Sequence, residues 1–263
     1  MMDRLRDRFW LWGHQAKSHD KNGDNTKSRM TATEGALYLG MSRVFMVCFN
    51  DQPKPPFDRE AKALDSMSEV VYSVVGDGSS SANIESFGHL DEIMRIAGLY
   101  PNTTGAIFDD FFGFGERERQ YTPEVLKAMR ERLHAKGLKL WVVVYDWNLG
   151  NPIAGHIAEF DCVTLWKMGE GLLDTLDETI RVVKDVHGAK RLHLGAYLYN
   201  FGGKRQFTAA EAEAILDAYA AKVRDGTAEG VILFSNVIGD HGYEAVERAK
   251  LWLKEHGDEP AVW

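Results

Sequence analysis

The chain has 263 residues, of which 44% are hydrophobic and 27% are charged, and this composition is typical of a globular protein with a large core. Its formal net charge is −8, from 31 Lys and Arg against 39 Asp and Glu, which argues against a nucleic-acid-binding or anionic-membrane-binding protein. These numbers exclude disorder for most of the chain and favour a neutral polar ligand.

Short β-branched or aromatic runs alternate along the chain with segments that have the apolar spacing of amphipathic helices. The runs predict eight strands, at Arg8–Gly13, Arg43–Phe49, Glu69–Val75, Thr104–Asp109, Lys139–Tyr145, Cys162–Trp166, Arg191–Tyr197 and Gly230–Ser235. The segments between them predict helices at Thr31–Leu39, Arg59–Asp65, Leu90–Leu99, Pro123–Lys136, Ile153–Glu159, Leu172–Val186, Ala209–Arg224 and Tyr243–Glu255. Thr31 with Glu34 and Thr208 with Glu211 have capping-box spacing, which supports two of the helix starts.

The strict alternation of strands and helices indicates parallel strands joined by helical crossovers. Eight such units in about 250 residues predict an α/β fold, a single (β/α)8 TIM barrel that spans residues 1–263 as one domain. An open doubly wound sheet is the alternative, but the Gly-rich fingerprint that opens its first helix does not follow the first predicted strand. The polar segment Lys17–Lys27 fits either a surface loop or a lid.

The cysteine content and the N-terminal residues predict where the protein resides. Two cysteines, Cys48 and Cys162, argue against a disulfide framework and for a reducing compartment. The N-terminal segment MMDRLRDRFWLWGH lacks the apolar core of a signal peptide, and no apolar run approaches the ~18 residues of a membrane helix. We therefore expect a cytoplasmic protein with no membrane contact, no nucleic-acid partner and no cofactor, of undetermined oligomeric state.

In a (β/α)8 barrel the active site lies at the carboxyl ends of the strands, so the residues that follow each predicted strand are the candidate site. Carboxylates, amides and aromatic rings are frequent there, which suits sugars, because their ring faces stack on aromatics and their hydroxyls pair with Asp and Asn. The predicted substrate-binding residues are His14, Asn50, Asp77, Tyr145, Asp146, Trp166, Tyr197, Tyr199 and Asn236. A carbohydrate substrate is therefore expected, although each aromatic ring singly fits a core position as well.

The adjacent carboxylates Asp109 and Asp110 interrupt a hydrophobic run after the fourth predicted strand. Successive strand residues point to opposite faces, but where the chain leaves the strand both side chains can reach one cavity. Two neighbouring acids do not both ionise easily, so one pKa should rise and that residue could act as a general acid. The alternative is that one carboxylate caps a loop and the other is a solvated charge.

This pair resembles the Asp-Asp or Asp-Glu pair of the retaining β-N-acetylhexosaminidases that act by substrate assistance. The resemblance covers the fourth strand alone, and it implies that Asp109 holds the substrate acetamide while Asp110 is the acid/base. The segments RFWLWGH, VVYSVVGDGSS, TGAIFDDFF and LHLGAYLYN also resemble bacterial glycosidase-like barrel proteins of unassigned activity. That wider resemblance spans most of the chain and implies the barrel fold.

Hydrolysis by two separate carboxylates would need a second acid about 5–5.5 Å or about 6.5–9.5 Å from the first. The candidates are Asp51, Asp77, Asp146 and Asp240. No Asp or Glu ends the sixth or seventh predicted strand, where related barrels carry a retaining nucleophile, so the sequence favours a mechanism centred on the fourth strand.

Two other classes of protein stay open. A metal-dependent barrel enzyme would need converging His and carboxylate ligands, but the nine histidines are dispersed and we predict no metal ligands. A non-catalytic carbohydrate-binding barrel would use the same acids only to accept hydrogen bonds. Phosphate recognition through Gly202–Arg205, after the seventh strand, is a further and less favoured alternative.

Overall fold

The computed structural model describes residues 3–19, 27–78, 87–114 and 116–261. Its barrel strands are β1 (Phe9–His14), β2 (Arg43–Val47), β3 (Glu69–Val75), β4 (Thr103–Phe108), β5 (Lys139–Tyr145), β6 (Cys162–Trp166), β7 (Leu192–Tyr197) and β8 (Gly230–Phe234). All eight are parallel, each pairs with its neighbours in sequence, and β1 pairs with both β2 and β8, so the barrel closes. The prediction of a (β/α)8 barrel is confirmed.

Helical crossovers follow the strands and cover the outside of the barrel. The α-helices are α1 (Ala32–Leu39), α2 (Asp58–Ala63), α3 (Leu90–Ala97), α4 (Arg117–Gln120), α5 (Pro123–His134), α6 (Ala154–Ile157), α7 (Leu176–Arg181), α8 (Ala209–Arg224) and α9 (Glu244–His256). Both predicted capping boxes are present, because Thr31 and Thr208 accept hydrogen bonds from the backbone N–H of Glu34 and Glu211. These caps fix the N-termini of α1 and α8.

Besides the one-turn helix α4, which was not predicted, two segments differ from the sequence prediction. The predicted helix at 172–186 is a 3₁₀ turn at Leu173–Thr175, then α7, then a π-helical turn at Val182–Val186. A hairpin of two short strands, Tyr199–Asn200 and Arg205–Gln206, follows β7, where the Gly-rich turn reverses the chain. Of the other predicted strands and helices, four have the predicted bounds and the rest differ by one or two residues at an end.

The core fills the barrel and the layer between the strands and the helices. Aromatic rings pack across the barrel interior, where the Trp10 ring lies 4.9 Å from Phe45 and 5.8 Å from Trp141. Among the described residues, no helix is long and apolar enough to span a membrane. Most of the segment proposed as a loop or lid, residues 20–26, lies outside the described residues.

Candidate active site

A cleft of about 770 Å³ opens at the carboxyl ends of the barrel strands. It is lined by eight of the predicted site residues: His14, Asp77, Asp109, Asp110, Tyr145, Trp166, Tyr197 and Tyr199. Aromatic and aliphatic side chains from β1, β7 and β8 complete its wall. The cleft therefore combines a few carboxylates with a large aromatic surface, in the place where (β/α)8 enzymes carry out their chemistry.

Both neighbouring aspartates face this cleft, and the backbone at Asp110 explains how. Asp110 has φ of +43°, in the left-handed region that non-glycine residues rarely adopt. The chain therefore leaves the extended conformation directly after Asp109, and the alternation that would send the two side chains to opposite faces ends there. The backbone N–H of Asp110 donates to Oδ1 of Asp109 at 2.9 Å, which fixes the two residues relative to each other.

The two carboxyl groups have different surroundings. Asp109 is 6% exposed, and its burial, followed by the negative charges of Asp110 and Asp77, raises its pKa well above the usual value. Asp110 is half-buried and accepts two hydrogen bonds, from the N–H of Gly78 at 2.8 Å and from the hydroxyl of Tyr145 at 2.7 Å. These two donors fix the position of the Asp110 carboxylate. Burial thus favours the protonated form of Asp109.

Arg117 braces the loops that carry these acids, although the sequence analysis did not identify it. It begins the one-turn helix α4, it is 6% exposed, and its guanidinium donates to four backbone carbonyls. Nη1 lies 2.5 Å from the Asp109 carbonyl and 2.9 Å from that of Asp110, and Nη2 lies 2.7 Å from Gly76 and 2.9 Å from Asp77. Arg117 therefore joins the ends of β3 and β4. Its charge also opposes the rise in the pKa of Asp109.

A buried chain of polar groups joins the ends of β1 and β8. The side-chain amide of Asn236 donates to the carbonyls of Met30 at 2.7 Å and His14 at 3.0 Å, so its Oδ1 is turned towards Ser235 and the His14 backbone. The Ser235 hydroxyl donates to that Oδ1 at 3.3 Å and lies 2.9 Å from Nδ1 of His14. A Ser235 hydroxyl that donates to Asn236 accepts from Nδ1 of His14, and we therefore propose the tautomer with the proton on Nδ1 and Nε2 as an acceptor. Burial lowers the pKa of His14 well below its usual value, so the ring is neutral.

The aromatic wall depends on one glycine. The Trp166 ring packs 5.1 Å from Trp12 and 5.0 Å from Tyr197, and its Nε1 donates to the Thr164 hydroxyl at 3.0 Å. A Cβ at position 195 would lie 2.0 Å from Cδ2 of Trp166, so only Gly195 allows the ring to lie flat against β7. The predicted sugar platform is therefore 2% exposed and held firmly at the base of the cleft.

Three predicted substrate-binding residues do not line the cleft. Asn236 is 1% exposed and its amide is used within the protein, so the structure gives it a structural role in place of hydroxyl recognition. Asn50 is exposed and donates to the Ser18 carbonyl at 3.2 Å. Asp146 lies 4.0 Å from the ammonium of Lys167. A residue's place after a strand did not by itself predict the direction of its side chain.

The structure also separates the candidates for a second acid. Of the four candidates, Asp77 lines the cleft beside Asp109, whereas Asp51, Asp146 and Asp240 do not. Within the described ranges, no group of three or more His, Cys, Asp or Glu residues has the arrangement of a metal site. The carboxylates of the described residues that line the cleft therefore follow β3 and β4.

No protein-family model matches the chain, and no curated protein matches it in sequence. Solved structures with a similar fold include the catalytic domain of a hyperthermophilic chitinase from Pyrococcus furiosus, with 13% identity, a TM-score of 0.63, and coverage of 97% of this chain and 98% of that one. The spore cortex-lytic enzyme SleL of Bacillus megaterium QM B1551 has 11% identity, a TM-score of 0.60, and coverage of 98% and 76%. A chain of the Pyrococcus furiosus tryptophan synthase complex has 14% identity, a TM-score of 0.54, and coverage of 97% and 98%. These likenesses establish the fold, which glycosidase-like barrels and a synthase share.

Proposed function

We propose that this protein is a glycoside hydrolase that cleaves its substrate with the Asp109–Asp110 pair. The observation that carries the proposal is a buried carboxyl group with a raised pKa, Asp109, directly beside a hydrogen-bonded carboxylate, Asp110, in an aromatic-lined cleft. Pairs of acids whose environments differ in this way divide acid and anion roles in glycoside hydrolysis. The barrel fold shared with a chitinase and a cortex-lytic enzyme supports the same class of reaction.

The surroundings of the two acids favour a division of roles opposite to the one that the resemblance to hexosaminidases implied. Asp109 keeps its proton and donates it to the glycosidic oxygen while the bond from that oxygen to the anomeric carbon breaks. Asp110, held by Gly78 and Tyr145, is the carboxylate that stabilises the positive charge that develops on the sugar. With an N-acetylated sugar, Asp110 orients the acetamide whose oxygen attacks the anomeric carbon. Water then opens that intermediate and returns a proton to Asp109.

The division of roles is tested with Asp109→Asn and Asp110→Asn, using aryl and alkyl glycosides whose leaving groups differ in basicity. A dinitrophenyl group leaves without protonation, whereas an alkyl alcohol requires it. We expect Asp109→Asn to reduce kcat about 10²–10⁴-fold with the basic leaving group and far less with the acidic one. Asp110→Asn should reduce the rate with both, because it acts on the sugar and not on the leaving group.

Asp146→Asn is the matched control, because Asp146 also follows a barrel strand but does not line the cleft. Its kinetics should resemble those of the wild type. The opposite pattern in the two cleft variants would restore Asp110 as the proton donor. Unchanged turnover in both would remove the pair from the mechanism, and saturable sugar binding without any product in the wild type would identify a binding protein.

A further inference from the structure

We propose that the sugar carries an anionic group, a carboxylate, sulfate or phosphate, which Lys17 and Lys204 bind beside β8, the strand opposite the one that Asp109 and Asp110 follow. The inference deepens the proposed function and rests on it in one respect, that the ligand is taken to be a sugar. Both lysines line the same cleft as Asp109 and Asp110.

The order of strands in the barrel separates the two charges. Around the ring β8 lies opposite β4, and β7 lies opposite β3. Among the described residues, the three carboxylates that line the cleft follow β3 and β4, whereas Lys17 follows β1 and Lys204 follows β7, on either side of β8. The two described lysines of the cleft therefore flank the strand that lies opposite Asp109 and Asp110. A ligand that spans the cleft is bound best when its anionic end points away from the aspartates.

The two lysines supply positive charge beside β8. The neighbouring rings of His14 and His19 are neutral at neutral pH, because burial lowers the pKa of both, that of His19 to about 4. Within the part of the chain that the structure describes, neither Lys17 nor Lys204 forms a salt bridge, whereas many of the arginines there do. Two cations without an acidic partner in those ranges can attract an anionic ligand.

The backbone at each lysine is an independent indication. Lys17 has φ of +70° and Lys204 has φ of +52°, a conformation that glycine adopts freely and that is sterically unfavourable for a residue with a Cβ. Residues that keep such a conformation are concentrated at functional sites, where the surrounding structure holds them. At positions 17 and 204 the protein has a lysine, although glycine would adopt the same backbone conformation with less strain.

An asparagine holds each of these turns in place. The side chain of Asn50 donates to the Ser18 carbonyl at 3.2 Å, which ties the turn of Lys17 to the loop after β2. Asn200 is fully buried, and its Oδ1 accepts from the N–H of Gly203 at 2.7 Å, which fixes the hairpin turn of Lys204. The two ammonium groups are thus carried by braced turns at the mouth of the cleft.

The experiment measures the binding of matched sugars by NMR titration. Glucuronate is compared with glucose, and N-acetylglucosamine is compared with its sulfated and phosphorylated forms, in which the primary hydroxyl carries the charge. We expect the anionic member of at least one pair to bind about 5- to 30-fold more tightly at low salt. The preference should shrink at about 1 M salt, where the screening length falls to ~3 Å.

The double variant Lys17→Gly, Lys204→Gly removes both charges and relieves the backbone strain, so its melting temperature should stay at or above that of the wild type. It should lose the preference for anionic sugars. Lys136→Ala is the matched control, since Lys136 is exposed in the loop before β5, at the other end of the barrel, and this variant should keep the preference.

The outcomes separate this inference from the proposed function. No binding of any anionic probe, equal affinity within every pair, or a preference that survives in the double variant overturns the anionic subsite. Hydrolysis of a neutral glycoside at full rate would still support the glycosidase assignment in those cases. Tight and lysine-dependent binding of an anionic sugar with no hydrolysis of any glycoside would support the subsite and refute the proposed reaction.

Discussion

Replacing Arg117 tests whether the acids of the cleft depend on a brace between β3 and β4. The guanidinium makes four hydrogen bonds to backbone carbonyls, at 2.5 to 2.9 Å, from a side chain that is 6% exposed. Arg117→Met keeps much of the apolar stem and removes all four donors. The carbonyls of Gly76, Asp77, Asp109 and Asp110 then lose a partner, and those that stay buried cost about 1–3 kcal/mol each.

The loss should be smaller than the sum of four separate bonds, because one guanidinium makes all of them and water can reach carbonyls near the cleft. We expect a decrease of about 3–5 kcal/mol in the free energy of unfolding. At roughly 2–4 °C for each kcal/mol, the melting temperature should fall by about 6–20 °C. Calorimetry or thermal unfolding followed by circular dichroism measures this directly.

Arg119→Met is the control on the same short helix. Its side chain is 82% exposed and its ion pair with Glu116 lies at the surface, so the change should be within about 0.5 kcal/mol. The remaining activity of Arg117→Met carries a second signature, because loss of the positive charge should raise the pKa of Asp109 further and move the alkaline limit of activity upward. Equal melting temperatures for the Arg117→Met and Arg119→Met proteins would show that Arg117 does not brace the ends of β3 and β4.

Three further predictions concern the same cleft. The pKa of Asp109 is raised in the folded protein, so the wild type loses stability as the pH rises from about 3.9 to that folded pKa. Asp109→Asn should therefore be more stable than the wild type at neutral pH. Denaturant titrations at acidic pH should show no difference in unfolding free energy between the two proteins. Gly195→Ala should displace Trp166 and cost about 2–4 kcal/mol of unfolding free energy, whereas Gly155→Ala, with open space around it, should not destabilise. Ser235→Ala should alter the ring nitrogen shifts of His14 in NMR spectra, and unchanged shifts would contradict the proposed tautomer.

The fold could be predicted from the sequence because its signals are local and repeat along the chain. Each strand that lines the barrel is buried on both faces, so it reads as a continuous apolar run such as Lys139–Tyr145, and each crossover begins or ends at a recognisable residue such as Thr208. The hairpin after β7 and the one-turn helix α4 were not predicted, since two residues of strand or four of helix are too short to establish a period.

The sequence predicted those lining residues of the cleft whose side chains reach it simply because they end a barrel strand. Asp109, Asp110 and Tyr145 line the cleft because they leave their strands at its mouth. Arg117 was not predicted because its side chain donates to backbone carbonyls in two different loops. No residue spacing in the sequence indicates such contacts. The direction of Asn236 depends likewise on partners from β1 and from the loop before α1.

Among the described residues, the non-glycine residues with a positive φ lie at one end of the barrel, where glycines such as Gly113 and Gly242 also adopt it. At the end where helices lead into strands, Gly40, Gly137, Gly188 and Gly226 adopt φ between 72° and 77°, so glycine provides those turns without strain. At the opposite end, the non-glycine residues of the described ranges that share this conformation are Lys17, Asn50, Asp51, Asp110 and Lys204. All five follow a barrel strand at the mouth of the cleft. At Lys17, Asp110 and Lys204, which line the cleft, glycine would serve the backbone better, so their side chains fit the proposed work on a ligand, whereas the side chain of Asn50 braces the turn of Lys17.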